Sequence, residues 1–204
     1  TQNPFFTNYK MIYTFGINGN PSKRFSFNTA FNHSRVENGL FFINHFDSTK
    51  LANGTNLFTA IYDHVDILKL NAVFYYKLNE KLRVLLRGTY YNYTMTNEEK
   101  PWHQQPYDLN LGIDYNMQNK FLFKTEVSYL GGSYAKIYNT TLNKYEATLM
   151  KDIIDANFSF EYRYSKIWSA FVNLNNLAAA PYMRWYNYPS YKFQVMGGIT
   201  ISVK

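Results

Sequence analysis

The chain has 204 residues, enough for one sizeable core, and 20% of them are aromatic: 20 Tyr, 17 Phe and 3 Trp. It has no cysteine, which excludes a disulfide framework and a thiolate metal site, and no apolar run approaches the roughly 18 residues of a membrane-crossing helix. The formal net charge is +7, but Lys and Arg stand singly, densest in SKR at Ser22 to Arg24, so the basic stripe that nucleic-acid binding requires is missing.

Abundant aromatics with many Asn and Thr favour strands joined by polar turns, and period-two patterns run the length of the chain. Tyr9 to Ile17 and Arg24 to Val36 alternate weakly and are separated by a short turn at Gly19 to Lys23. A long polar connection, Glu37 to Val65, precedes Asp66 to Leu78, and NEK at Asn79 to Lys81 turns the chain into Leu82 to Met95. Apolar parity changes there near Tyr90 and Tyr91, which marks either a bulge or inward tyrosines. After Thr96 to Pro106, strict alternation sets Tyr107, Leu109, Leu111, Ile113, Tyr115 and Met117 against Asp108, Asn110, Gly112, Asp114 and Asn116. QNK at Gln118 to Lys120 turns into Phe121 to Leu130, and Gly131 to Lys151 forms another long connection. From Ile154 to Tyr164 the apolar set again faces Asp155, Asn157, Ser159, Glu161 and Arg163. A turn at Ser165 and Lys166 leads to Trp168 to Leu177, and Ala178 to Ser190 leads to the last strand, Tyr191 to Val203. The reading is all-β, with about nine long strands whose connections alternate between short and long.

Period two does not say which solvent each face meets, but three further features do. Crossing a tilted bilayer path takes about 9–11 residues, whereas ordinary globular strands average about five or six; these segments have the longer length. Aromatics gather near strand ends, as in Tyr90, Tyr91 and Tyr93, and in Tyr162 and Tyr164, which is how interfacial belts are placed. The polar face carries charge in mid-strand at Lys69, Arg83, Arg87, Asp114, Lys124, Glu126, Asp155, Glu161 and Arg163, tolerable only toward water. These features predict a transmembrane antiparallel up-and-down β-barrel, with apolar side chains toward lipid and polar ones lining a lumen. Single-chain barrels generally have an even strand number. Either LFFINHF at Leu40 to Phe46 supplies a tenth strand or the chain is part of a larger barrel, and the abrupt start TQNPFFTNYK favours the second.

Three segments carry a family resemblance: EKPWHQQPYDLNLGIDYN, QNKFLFKTEVSYLGGSYAK and NLNNLAAAPYMRWYNYPSYKFQVMGGITISV. They resemble the C-terminal half of TonB-dependent-receptor-like outer-membrane barrels. The most specific part is Asn173 to Asn176 leading to Tyr182, Trp185 and Tyr188-Pro189 before the final strand. The resemblance spans Ile61 to Lys204 well and implies a multi-pass protein of the cell outer membrane, with periplasmic short turns and extracellular long loops. It further implies a plug that occludes the lumen and engages TonB through an N-terminal box. Residues 1–204 carry neither plug nor box and are read as one barrel domain, the C-terminal portion. The alternative is a self-contained porin-like or structural barrel within a larger outer-membrane complex, whose partners would be other outer-membrane or surface lipoprotein subunits. Such barrels commonly end on an aromatic, so a final Phe beyond Lys204 is expected.

Trp102, Tyr182, Trp185, Tyr186 and Tyr188 in the long connections are the ligand-binding candidates, suited to stacking on a sugar or an apolar ligand, with interfacial anchoring as the plainer role. No catalytic residue, metal ligand set or cofactor is assigned. His33, His45, His64 and His103 lie near Asp47, Asp63 and Asp66 but form no H-x-x-x-H or comparable pair. Ser34 beside His33 lacks a nucleophile's context. GGS at Gly131 to Ser133 precedes no evident helix, which favours a close backbone approach over a phosphate loop. Parity places more Lys and Arg than Asp and Glu on the polar face, a preference for anionic solutes.

Overall fold

Four of the turns are closed by a side chain that does the work of a backbone acceptor, as Ser and Asn do in tight turns. Ser22 Oγ accepts the Arg24 and Phe25 amides, Asn79 Oδ1 those of Lys81 and Leu82, and Ser165 Oγ those of Ile167 and Trp168. Asn116 Oδ1 accepts the Asn119 amide, and Gln118 and Asn119 both take positive φ, 56° and 58°. That pair of left-handed residues is the geometry a two-residue hairpin needs to match the strand twist.

A computed structural model describes residues 6–46 and 57–202. In chain order the strands are β1 (Asn8–Ser22), β2 (Phe25–Asn44), β3 (Phe58–Lys77), β4 (Leu82–Met95), β5 (Tyr107–Met117), β6 (Phe121–Leu130), β7 (Tyr134–Asn139), β8 (Lys144–Leu149), β9 (Ile153–Arg163), β10 (Trp168–Asn175), β11 (Met183–Trp185), β12 (Tyr188–Pro189) and β13 (Gln194–Ile201). Nine of them form one antiparallel up-and-down sheet in the order β1-β2-β3-β4-β5-β6-β9-β10-β13. The expected all-β architecture and its long strands are present. Among the described residues β1 and β13 do not pair, so the sheet is an open segment of a barrel wall.

The structure decides two alternatives that the sequence left open, at Leu40 to Phe46 and near Tyr90, and corrects the reading of the long connections. Leu40 to Phe46 adds no tenth strand, because Leu40 to Asn44 continue β2. Glu37 to Val65 is accordingly not one loop: β2 and β3 are each 20 residues long and pair from Phe25↔Tyr76 to Asn44↔Phe58. A bulge between Val36 and Gly39, with Asn38 at φ 55°, divides the hairpin. The connections 131–151 and 178–190 hold small hairpins of their own, β7–β8 and β11–β12. Near Tyr90 the β3–β4 register is unbroken, so there is no bulge. Tyr90 stays on the apolar face against Tyr107, at 5.2 Å between rings, while Tyr91 and Tyr93 stack on the polar face at 5.8 Å. Asp47, the TQNPF start and the expected residue after Lys204 lie outside the described residues.

Register separates the two faces across the sheet. Leu70, Phe74, Val84, Leu86, Leu109, Leu111, Val127, Val172 and Ile199 share one face. Tyr90 and Tyr107 bound it at the long-loop end, and stacked pairs such as Phe25–Phe74, Phe121–Tyr162 and Tyr164–Trp168 bound it at the short-turn end. Leu82 to Tyr90 on β4 matches the about 9–11 residues of a tilted bilayer crossing. Among the described residues nothing covers this face: Ile199 is 70% exposed and Ile201 66%. The total accessible surface is 13937 Å², against about 10,000 Å² for a globular chain of this mass. The packed core lies instead at the long-loop end, where Val36, Phe41, Ile43, Val65 and Trp102 cluster with Ile61, Tyr93 and Tyr134 around them.

Candidate functional site at the long-loop end

The β2–β3 hairpin projects past the level of Tyr90, and the outward Arg35–Asp66 ion pair at 3.0 Å marks where the apolar band ends. Above it the bulge at Asn38 shifts parity, so Gly39, Phe41 and Ile43 continue the polar side's inward set and become a packing surface. The connection 96–106 folds onto that surface. Asp63, 3% exposed, anchors it by accepting the amides of Asn97 (2.9 Å), Glu98 (2.8 Å) and His64 (2.8 Å) and the Asn97 side-chain amide (2.7 Å). Burial alone would raise the Asp63 carboxyl, but these hydrogen bonds outweigh it and hold the group below its usual range.

The connection's Trp102 is 2% exposed. Its Nε1 donates to Glu98 Oε2 at 2.8 Å, and Lys136 of β7 donates to the same oxygen at 2.6 Å while lying over the Trp102 ring at 5.4 Å. His103, at φ 59°, is also buried, with its Nδ1 3.0 Å from the Phe42 carbonyl. Burial pushes its pKa down, so the neutral ring is favoured. Trp185 stacks on His103 at 4.8 Å and meets Phe58 at 5.4 Å and Phe42 at 5.9 Å, and Tyr188 lies 5.5 Å from Phe58. The β11–β12 hairpin, which follows β10 near one edge of the sheet, therefore reaches the ends of β2 and β3 near the other. Together these segments pack against the long-loop ends of β2 and β3.

The five loop aromatics that form one set of ligand candidates in the sequence have different surroundings in the structure. Trp102 is enclosed, Trp185 and Tyr188 join the cluster with part of their rings exposed, and Tyr186 sits in the β11–β12 turn. Tyr182 turns toward the sheet and donates to Asp155 Oδ2 at 3.2 Å. Burial first and Asp155 second raise the Tyr182 pKa, which keeps the phenol a donor.

The nine mid-strand charges all lie on the polar face. Arg83 pairs with Asp114 at 3.7 Å and Arg163 with Glu161 at 2.9 Å. Lys69 lies over the Tyr91 ring at 5.5 Å, and Glu126 accepts from Asn110 at 2.5 Å. Lys124 is registered opposite Asp114 and Arg87 opposite Val73. The histidines have separate neighbours: His33 lies 4.0 Å from Asp66, His45 bonds Thr59, and no metal-binding group of His, Asp and Glu occurs among the described residues. GGS is a close approach, since a Cβ on Gly132 would meet the Met150 carbonyl at 2.3 Å.

No family model matches the chain, and no characterised protein matches it in sequence. Solved structures do match. The pyoverdine outer membrane receptor FpvA from Pseudomonas aeruginosa superposes at TM-score 0.71 and 18% identity, over 94% of this chain and 29% of the receptor. The siderophore receptor PirA from Acinetobacter baumannii gives TM-score 0.73 at 12% identity, over 94% and 31%. The chain has the fold of part of a TonB-dependent-receptor barrel. The copper transporter OprC shares this barrel fold at TM-score 0.71 and 10% identity. This chain spans less than a third of the length of each of these barrel proteins.

Proposed function

We propose that the chain forms part of the wall and outer mouth of an outer-membrane barrel that binds a solute at its long loops and passes it along the polar face. The opposition of the two faces carries the reading. An uncovered apolar band bounded by aromatics is suited to lipid, and a face bearing Lys69, Arg87, Asp114, Lys124 and Glu126 is suited to an aqueous lumen. The short turns are then periplasmic and the joined loops extracellular. In this arrangement Trp185, Tyr186 and Tyr188 offer ring surface to a solute, Tyr182 offers a phenol, and the enclosed Trp102 positions the loops. Receptor-type uptake, with TonB acting on a plug segment of the same protein, is the form the barrel likeness supports.

The test is uptake by cells carrying the whole protein in the outer membrane, together with conductance of the purified protein in planar bilayers. Solute accumulation that stops when the proton-motive force is collapsed, with no standing current, is the expected result. A large constitutive current would instead make the barrel an open porin, the alternative reading.

A further inference from the structure

We infer that the polar face holds a docking site for a cationic nitrogen, an ammonium or guanidinium group, at Asp155 and Asn176 beneath the β11–β12 segment. Both residues line a cavity of about 420 Å³ together with Glu126, Tyr182 and Lys192. Asn176, 4% exposed, directs its Nδ2 to the carbonyls of Ala180 at 2.9 Å and Tyr191 at 3.1 Å. Those two acceptors fix the amide's orientation, because a flip would set oxygen against oxygen. Asn176 Oδ1 is consequently left without a donor.

Asp155 is in the same position. Its Oδ2 has two long hydrogen bonds, 3.2 Å from Tyr182 and 3.4 Å from Asn157, and its Oδ1 has none. Buried acceptors left unmet are costly, and a carboxylate oxygen is the costliest. Both residues with an enclosed, unmet oxygen line one cavity, which suits a donor with more than one N–H, and the charged side chains of that lining favour a cation. Among the lining side chains Glu126 and Asp155 are acidic and Lys192 alone is basic, and Lys192 forms no ion pair with either; Arg184, outside the lining, acts on Tyr182. A nitrogen cation meets both needs through charge-assisted hydrogen bonds. Its carrier is either a solute in transit or another segment of the same polypeptide. The site rests on the transport reading only in taking the polar face to border the lumen.

The test uses the whole protein in detergent. Agmatine, which carries both a guanidinium and an ammonium group, is titrated calorimetrically against wild type, Asp155→Asn and Lys192→Gln. A solute-borne cation predicts saturable binding that Asp155→Asn weakens at least tenfold and Lys192→Gln does not weaken. A chain-borne cation predicts no agmatine binding, and a Lys or Arg nitrogen from elsewhere in the polypeptide about 3 Å from Asp155 Oδ1 in a structure of the whole protein. The proposal is overturned if binding survives Asp155→Asn or is weakened equally by Lys192→Gln. Absent binding with only water or Lys192 on that oxygen overturns it as well. None of these readouts measures uptake, so failed uptake with intact binding would remove the transport reading alone.

Discussion

Asp63 holds the connection 96–106 to the β2–β3 hairpin by accepting the backbone amides of Asn97 and Glu98 and the Asn97 side-chain amide. Replacing it with Ala would strand those donors in a buried setting, at a cost of about 3 kcal/mol, or roughly a hundredfold faster exchange of the Asn97 and Glu98 amides. Exchange rates unchanged in Asp63→Ala would show that the loop is held by something else. Acid should loosen the same region in two stages. His103 lies in the loop and its folded pKa is depressed, so its contribution is complete above the unfolded value of about 6.5 and declines as pH falls below it. Asp63, beyond the apolar band and also depressed, contributes above about 4 and loses that contribution as pH falls through its folded value. Protection factors in the loop should therefore drop between pH 7 and 5 in wild type and stay level in His103→Gln; an equal slope in both would exclude His103. The nine charges of the polar face were legible from parity, because period two assigns each residue a side. The roles of Asp63 and Asn176 were not, since their partners come from segments far along the chain.

At the scale of elements, alternation located all nine strands of the sheet, and the Ser and Asn turns located its short-turn end. What alternation missed has a common cause. The bulge at Asn38 reverses parity within β2, so the apolar run Leu40 to Phe46 looked like a separate strand. β7 and β8 have six residues each, and although Lys144, Glu146 and Thr148 alternate with Tyr145, Ala147 and Leu149 in β8, so short a run does not stand out within the long polar connection 131–151, and β7 (YAKIYN) has no clean alternation. A direct test of the two faces lies in adjacent residues of β4. Leu86 faces the apolar side beside Leu111 and Phe74, and Leu85 faces the polar side beside Gly112. Leu86→Arg should destabilise the folded barrel by about 2–4 kcal/mol in lipid. Leu85→Arg, facing water, should cost under about 1 kcal/mol. Both are read as the folded fraction during urea titration in vesicles, and equal costs would contradict the assignment of faces.

For the whole molecule, the exposed apolar sheet and the small core at one end are two consequences of one arrangement. A globular chain would bury Ile199, Val195 and Leu86 between layers, yet here the packed residues are those that close the loop end. Among the described residues the outer edges of β1 and β13 are unpaired, and in a bilayer such edges would need further strands, consistent with the longer barrels that the chain resembles in fold. The most direct test uses the absence of cysteine from these 204 residues, with any cysteine elsewhere in the whole protein first replaced by serine. Single cysteines at Ile199 and Thr200, spin-labelled in the whole protein in lipid vesicles, report the surroundings of neighbouring side chains on opposite faces of β13. The account predicts that the Ile199 label collides with lipid-dissolved oxygen and the Thr200 label with a water-soluble nickel chelate. The reverse pattern, or an Ile199 label shielded from both reagents, would contradict it.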